Sequence, residues 1–440
     1  MLPGEKKYLV DNHNSVLKIW DQYNVCQCTC IHLDAHLDCS WTAKEGKERF
    51  LSSENHSDWF DSEERDSFLY QYEGSIDISN WLNFAIQVGY VSKLYWVVPD
   101  GIWFSSPASF MALLEKQTGM ISVNSFTNIP AQRGPYLFEL NHCTVIVCKL
   151  NDLPEFNEND RVLLDIDLDF FSNYKKTASI DDLRYPCFSL ENFRRSLNKS
   201  VPHPIITSVC FSQNGGYASV DLTEKLDSLY RDFDAFPSER DLQATLPAMK
   251  GSYLDYTNSC ALLHRGNFVG AEILAKKAVN ENPEIGAYHY ALALAYLQVG
   301  KIDNALSSIE SCLTLPFSES AQIFNDAAHI YLLNGAQKAG EELQQLAFST
   351  DESDNPIISR NYMALAISQG DIEKAEELAV ITLSRQPYNN DAWSTLSMCM
   401  LKKKMFSNAQ FALEQSINTC MNDKKRSVFR NQLRRLKGGE

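Results

Sequence analysis

Apolar positions follow two different periods along the chain. As far as about residue 212, short apolar runs recur: KYLV (7–10), VCQCTCIHL (25–33), KLYWVVP (93–99), TVIVCKL (144–150), RVLLDIDL (161–168) and IITSVCFS (205–212). Most are rich in β-branched and aromatic residues and several are apolar on both faces, as central strands of a parallel sheet between helices are. Amphipathic stretches such as SNWLNFAIQVGYV and PASFMALLEKQTG lie between them. The alternation predicts an α/β domain over residues 1–245, a mostly parallel sheet with flanking helices. The polar, charged stretch 42–75 reads as a surface excursion or lid.

From about residue 252 the alternation gives way to a repeat. Gly266, Gly300, Gly335 and Gly370 recur at spacings of 34 or 35, each just ahead of a small residue at Ala271, Ala305, Gly340 and Ala375. A fifth unit has Lys404 in place of glycine and keeps Ala409. A second small residue follows at Ala278, Cys312, Ala347 and Thr382. This pattern resembles the tetratricopeptide (TPR) repeat, in which small residues let two antiparallel helices approach closely. Trp393 and Leu396 match that family's large residue and leucine, and Pro283 and Pro387 match its terminal proline. The resemblance implies an all-α TPR solenoid over residues 252–440, with five repeats, the third least regular, and a capping helix in KKRSVFRNQLRRLKG.

The chain has 440 residues, more than one hydrophobic core usually serves, so two domains are the expectation. A formal charge of -16 argues against a chain-wide nucleic-acid or anionic-membrane surface. The first residues lack a signal peptide's apolar core and no window is apolar for long enough to span a bilayer, which predicts a cytoplasmic location. The twelve cysteines are irregularly spaced and read as reduced thiols used as small hydrophobes. Cys26, Cys28 and Cys30 alternate along one strand and read as one buried face, not a zinc site.

One stretch, IHLDAHLDCSW (31–41), sets His32, Asp34, His36 and Asp38 on alternate positions at the end of the second predicted strand. Ligand sites of α/β sheets form where strands deliver their C-terminal ends. RVLLDIDLDFF repeats the design with Asp165, Asp167 and Asp169, and YLVDNHNS offers His13 after the first strand. Unpaired carboxylates there carry a desolvation cost that divalent cations relieve, so the combination predicts a metal site. The spacing from His13 to Asp34 leaves room for one helix, which would make the first two strands neighbours in a βαβ unit. His32 lies one step deeper in its strand and reads as a packed supporting residue, and Asp169 stays open between support and strand-end cap.

The order strand–His–helix–strand–DAHLD, then a later strand ending Asp-x-Asp, resembles the ureohydrolase (arginase and agmatinase) superfamily over residues 5 to 220. The resemblance implies two Mn(2+) ions per chain: His13, Asp34, Asp38 and Asp165 around one, Asp34, His36, Asp165 and Asp167 around the other. Two such ions lower the pKa of a shared water, which Asp38 would orient toward a guanidinium carbon. Asp38 and Asp167 are the implied catalytic residues. Arginases carry Gly-Gly-Asp before the first histidine, where this chain has Val10-Asp11-Asn12. They also continue the second motif to Asp-Pro, where this chain has Asp169 followed by Phe170-Phe171. With DNHN, DAHLD, NWLNFAI, WVVPD and DIDLDFF, the sequence resembles the peptide arginases, which convert peptidyl arginine to ornithine and urea.

Glu73, Asp77 and Asn80, and Ser212, Gln213 and Asn214 before Gly215-Gly216, are the candidate substrate contacts; each also reads as a turn or cap residue. The partners expected are an arginine-containing peptide or protein substrate and a peptide or protein in the TPR groove. Two alternatives stay open: a zinc-dependent deacetylase-type amidohydrolase of the same fold, and a TPR scaffold carrying a catalytically inert metal site.

Overall fold

A computed structural model describes residues 6–10, 13–42, 44–57, 59–60, 76–99, 107–118, 135–171, 190–211, 226–231, 233–235, 250–264, 266–315, 320–420 and 423–438. Eight strands form one sheet: β1 (Lys7–Val10), β2 (Cys28–Leu33), β3 (Val91–Val97), β4 (Tyr136–Leu140), β5 (Cys143–Cys148), β6 (Val162–Asp167), β7 (Ile206–Cys210) and β8 (Asp234–Ala235). Their spatial order is β4-β5-β3-β2-β6-β7-β1-β8. Every neighbouring pair is parallel except β4 with β5. Each of the six apolar runs supplies one strand. The β4–β5 hairpin turns at Asn141 and His142, both at positive φ, a conformation that usually advertises itself with a glycine and here does not. His142 is thereby a turn residue.

The expected adjacency of the first two strands is not found, because β6 and β7 lie between β2 and β1. Sequence separation could not reveal this: the inserted strands come more than 100 residues later and pair by their own edges.

Register assigns the two faces of the sheet different tasks. Residues opposite each other in parallel strands share a face. Ile31, Leu33, Tyr95, Val97, Leu164, Ile166 and Val209 line one face and form a continuous core with Phe193 and Leu197. Those two side chains come from a helix, Leu190–Ser200, whose buried Phe193, Leu197 and Ser200 recur at helical spacing. The opposite face presents Cys30, His32, Asp165 and Ser208, all fully buried. Trp20 of α1 (Val16–Gln22) and Trp81, both fully buried, lie 5.4 Å apart, and Trp81 lies 5.9 Å from His32.

After α2 (Lys44–Ser52), part of the stretch expected to be a surface excursion is anchored. Phe50, Trp59 and Phe60 are buried, and Trp59 stacks at 5.2 Å on Phe84 of α3 (Trp81–Gln87). Aromatic burial overrides the polar average of that segment.

The chain divides into two compact units, residues 1–103 with 124–317, and residues 104–123 with 318–440. Two helical hairpins belong to the first unit, Lys250–His264 with Phe268–Glu281 and Gly286–Gln298 with Ile302–Thr314. The second unit holds Pro107–Thr118, the hairpins Ala321–Leu333 with Gln337–Thr350, Pro356–Ser368 with Ile372–Arg385 and Asn390–Lys402 with Phe406–Thr419, and a final helix, Asp423–Gly438. The first helix of each hairpin ends in the left-handed conformation, at Gly266, Gly300, Gly335 and Gly370 and, without a glycine, at Lys404. No described helix is long and apolar enough to cross a membrane.

The recurring small residues sit where hairpin helices meet. Ala271, Ala305, Ala375 and Ala409 are fully buried, and a Cβ on Gly340 would lie 2.6 Å from Leu332 Cγ and 3.1 Å from the Ala328 carbonyl oxygen. Overpacking such a contact costs about 1–3 kcal/mol. Gly340→Val is therefore expected to lower unfolding stability by about that amount, read from urea midpoints; an unchanged midpoint would show the contact to be loose.

Candidate metal centre

In an open α/β sheet the crevice for a ligand opens where the chain runs off in opposite directions from two neighbouring strands. Here those strands are β2 and β6: β3 continues on the far side of β2, and β7 on the far side of β6. Their C-terminal ends carry the two acidic motifs. Register pairs His32 with Asp165, Asp165 with Ser208, and Asp167 with Cys210, so three strands deliver polar side chains to one face in two successive rows. β1 ends opposite Cys210, and His13 follows in a short 3-10 turn, His13–Ser15.

The resulting cluster is compact. His13 Nδ1 lies 3.0 Å from Asp38 Oδ2, 3.5 Å from Asp167 Oδ2 and 3.6 Å from Asp34 Oδ2, and its Nε2 lies 3.2 Å from Asp165 Oδ2. His32 bridges Asp165, at 2.8 Å from Nδ1, and Asp34, at 3.3 Å from Nε2. His36 Nδ1 lies 3.0 Å from Asp169 Oδ2 and 3.5 Å from Asp34 Oδ1. All six residues expected as ligands, His13, Asp34, His36, Asp38, Asp165 and Asp167, thus lie in one cluster, joined by His32, Asp169 and the Cys210 thiol.

Backbone and indole donors fix the carboxylates. Asp34 Oδ1 accepts the His36 N–H at 2.6 Å, and the Asp34 carbonyl accepts the Trp96 indole N–H at 3.1 Å. Asp167 accepts the Asp169 N–H at 2.7 Å and Asp169 accepts the Ala35 N–H at 3.3 Å, which ties the two acidic strand ends together. Asp38 accepts the Trp81 indole N–H at 2.9 Å and has φ +52°, a conformation costly for a non-glycine residue and concentrated at functional sites.

Sequence reading placed His32 outside the ligand shell because it sits one step deeper than Asp34. Register sets Asp165 directly across from it, and its two ring nitrogens face Asp165 and Asp34. Alternation shared with Asp34 was the available signal. Cys210 carried none, since VCF reads as core. Asp77 and Asn80 share a turn ahead of α3, where Asp77 accepts from the N–H and hydroxyl of Ser79, and Asn80 accepts the Asp77 N–H and donates to the Trp41 carbonyl. Glu73, Ser212, Gln213 and Asn214 lie outside the described residues.

Charge decides what the cluster can hold. Four carboxylates, Asp34, Asp165, Asp167 and Asp169, are at most 4% exposed. Burial alone pulls His32 down, but Asp34 and Asp165 override it and lift the imidazole to about 10; the same opposition lifts His36 to about 12, through Asp169 and Asp34. Asp34, against its burial, is held below the carboxylate range by His32 and His36, and Asp165 by His13 and His32. Burial together with Asp34 raises Asp169 to about 6, and burial with Asp169 and Asp34 raises Asp167 well above its ordinary value. These shifts state one fact: the site draws in positive charge, which protons can supply only partly. The buried Nε2 atoms of His13 and His32 each face a carboxylate, Asp165 Oδ2 at 3.2 Å and Asp34 Oδ2 at 3.3 Å. Imidazole and carboxylate donors at these separations fit divalent cations.

In the second unit a cleft of about 280 Å³ is lined by Glu115, Arg360, Tyr388, Asn390, Asp391 and Lys425 among others. Glu115 Oε2 accepts the Tyr388 N–H at 2.9 Å, and burial pushes its carboxyl up to about 8.

A pH dependence follows with a definite sign. His32, raised from 6.5 to about 10, contributes stability that is complete below pH 6.5 and lost as pH rises through 10. Raised Asp169 acts in the same direction at lower pH, because its ionisation opposes folding. Chelated protein is therefore expected to lose thermal stability steadily from pH 6.5 to 10, while cation-loaded protein does not, so that the gap in Tm between them widens. Parallel Tm curves would contradict this.

No sequence-family model matches the chain, and no curated relative does. Among solved structures, it is similar to the pilF protein of Pseudomonas aeruginosa, at 14% identity over 44% of this chain and 95% of that one, with a TM-score of 0.36. YrrB, described as a TPR protein with an unusual peptide-binding site, matches at 15% identity over 44% of this chain and 95% of its own, TM-score 0.35. The C-terminal part of a TPR repeat-containing protein from Cytophaga hutchinsonii matches at 13% identity over 42% of this chain and 72% of its own, TM-score 0.38.

Proposed function

We propose that this chain is a hydrolase of guanidino carbon–nitrogen bonds that depends on two divalent cations, and that it converts arginine within a peptide or protein to ornithine with release of urea. The observation that supports it most is His13, held within 3.0–3.6 Å of Asp38, Asp34, Asp165 and Asp167 although it arrives from a different strand end than any of them. One cation would be held by His13, Asp34, Asp38 and Asp165, and the other by Asp34, His36, Asp165 and Asp167, the arrangement that the ureohydrolase resemblance implies for manganese. Paired cations there neutralise the carboxylates and supply the Lewis acidity that makes water nucleophilic near neutral pH.

The chain's own residues do the remaining work. Trp81 and His13 both bond Oδ2 of Asp38, so its carboxylate is oriented before substrate arrives. Buried Trp96 and His32 close the sheet side of the centre against bulk water. His36, 38% exposed, marks the open side from which a planar guanidinium approaches. A substrate larger than free arginine is consistent with a helical repeat region carried in the same chain, since such arrays bind extended segments.

Manganese-loaded protein given an arginine-containing peptide is expected to release urea and leave ornithine. Asp34→Asn and Asp165→Asn should each reduce this by more than about 100-fold, beyond the loss typical of outer partners of a metal site. Loaded protein that releases no urea but cleaves an acylated amine would favour the zinc amidohydrolase alternative; loaded protein inert to both, with a tight partner on the helical repeats, would favour the scaffold.

A further inference from the structure

The Cys210 thiol does not behave as a packing residue. β7 presents Ser208 and Cys210 on the face that carries Asp165 and Asp167, each directly across from one of those acids. Ser208 uses its hydroxyl to donate a hydrogen bond to Asp165. One step further toward the strand's C-terminal end, the sulfur of Cys210, a ring nitrogen of His13 and a carboxylate oxygen of Asp167 lie within 4.8 Å of one another. The three residues are 0%, 2% and 4% exposed. Cys28, Cys30, Cys39, Cys143, Cys148, Cys312, Cys399 and Cys420 are also buried, and among the described residues none of them belongs to a comparable group of metal-ligating side chains. His13 and Asp167 already face each other there, His13 Nδ1 lying 3.5 Å from Asp167 Oδ2, and the sulfur completes the group.

We infer that Cys210 adds a thiolate to the ligands proposed above, on the cation held by His13 and beside Asp167, and that this position takes zinc, cobalt(II) or iron(II) in preference to manganese(II). A thiolate is a soft ligand, and soft ligands favour those ions over manganese, which prefers oxygen. On binding, the sulfur–metal bond forms as the thiol proton leaves to solvent. The inference rests on the centre proposed above and changes its metal preference; its test reads ligation, not turnover.

Cobalt(II)-loaded full-length protein is expected to show the near-ultraviolet thiolate-to-cobalt charge-transfer band, and Cys210→Ser to lose it while still binding cobalt. Zinc-loaded wild-type protein provides a measurement that needs no variant: X-ray absorption should show one sulfur at about 2.3 Å besides nitrogen and oxygen. Cobalt bound with no band, zinc bound with no sulfur, or a band unchanged in Cys210→Ser would each overturn the thiolate assignment alone, leaving urea release to stand or fall by its own assay. Wild-type protein that binds manganese but no cobalt and no zinc would overturn the assignment alone, and protein that binds none of the three would overturn it together with the centre.

Discussion

Buried negative charge is the constraint around which the sheet is organised. Four aspartates almost out of contact with water, with Asp38 beside them, cost far more than a domain's net stability unless something positive sits among them. His13, His32 and His36 supply part of that charge only while protonated, a state that the surrounding acids impose by lifting His32 to about 10 and His36 to about 12. A divalent cation would displace those protons and balance the acids at once, which would link cation binding to the folding of these strand ends.

Topology makes the charge concentration possible. The chain leaves β1, crosses to β2, builds outward to β3, β5 and β4, and only then returns to lay β6 and β7 into the space between β2 and β1. The return brings the second acidic motif beside the first, and the parallel register aligns His32, Asp165 and Ser208 in one row and Asp167 with Cys210 in the next. Phe170 and Phe171, which follow the second acidic motif, are fully buried, and Phe171 packs against Phe193 at 4.8 Å, so the turn after the acids is pinned into the core on the other face. The two faces thereby divide the labour: one supplies the apolar core, the other holds the buried polar cluster.

Local periodicity carried much of this in the sequence. Six strands, the helical hairpins with their glycines, and the residues His13, Asp34, His36, Asp38, Asp165 and Asp167 could be named because each is a local pattern of alternation or spacing. What escaped depends on pairing between distant strands. The pairing of His32 with Asp165, 133 residues away, could not be read from either segment alone, and Cys210 looked like core because only register shows what it faces. β4 was missed because Asn141-His142 turns without the usual glycine, and the supposed neighbourhood of β1 and β2 failed because strand order is settled by segments that come later. Phe50, Trp59 and Phe60 were hidden by the charged residues around them.

The central claim is that these side chains together hold divalent cations, and counting the ions tests it most directly. Elemental analysis of full-length protein, loaded and then freed of loose metal by gel filtration, is predicted to find two divalent cations per chain. Protein that emerges folded and with no bound cation would contradict the account.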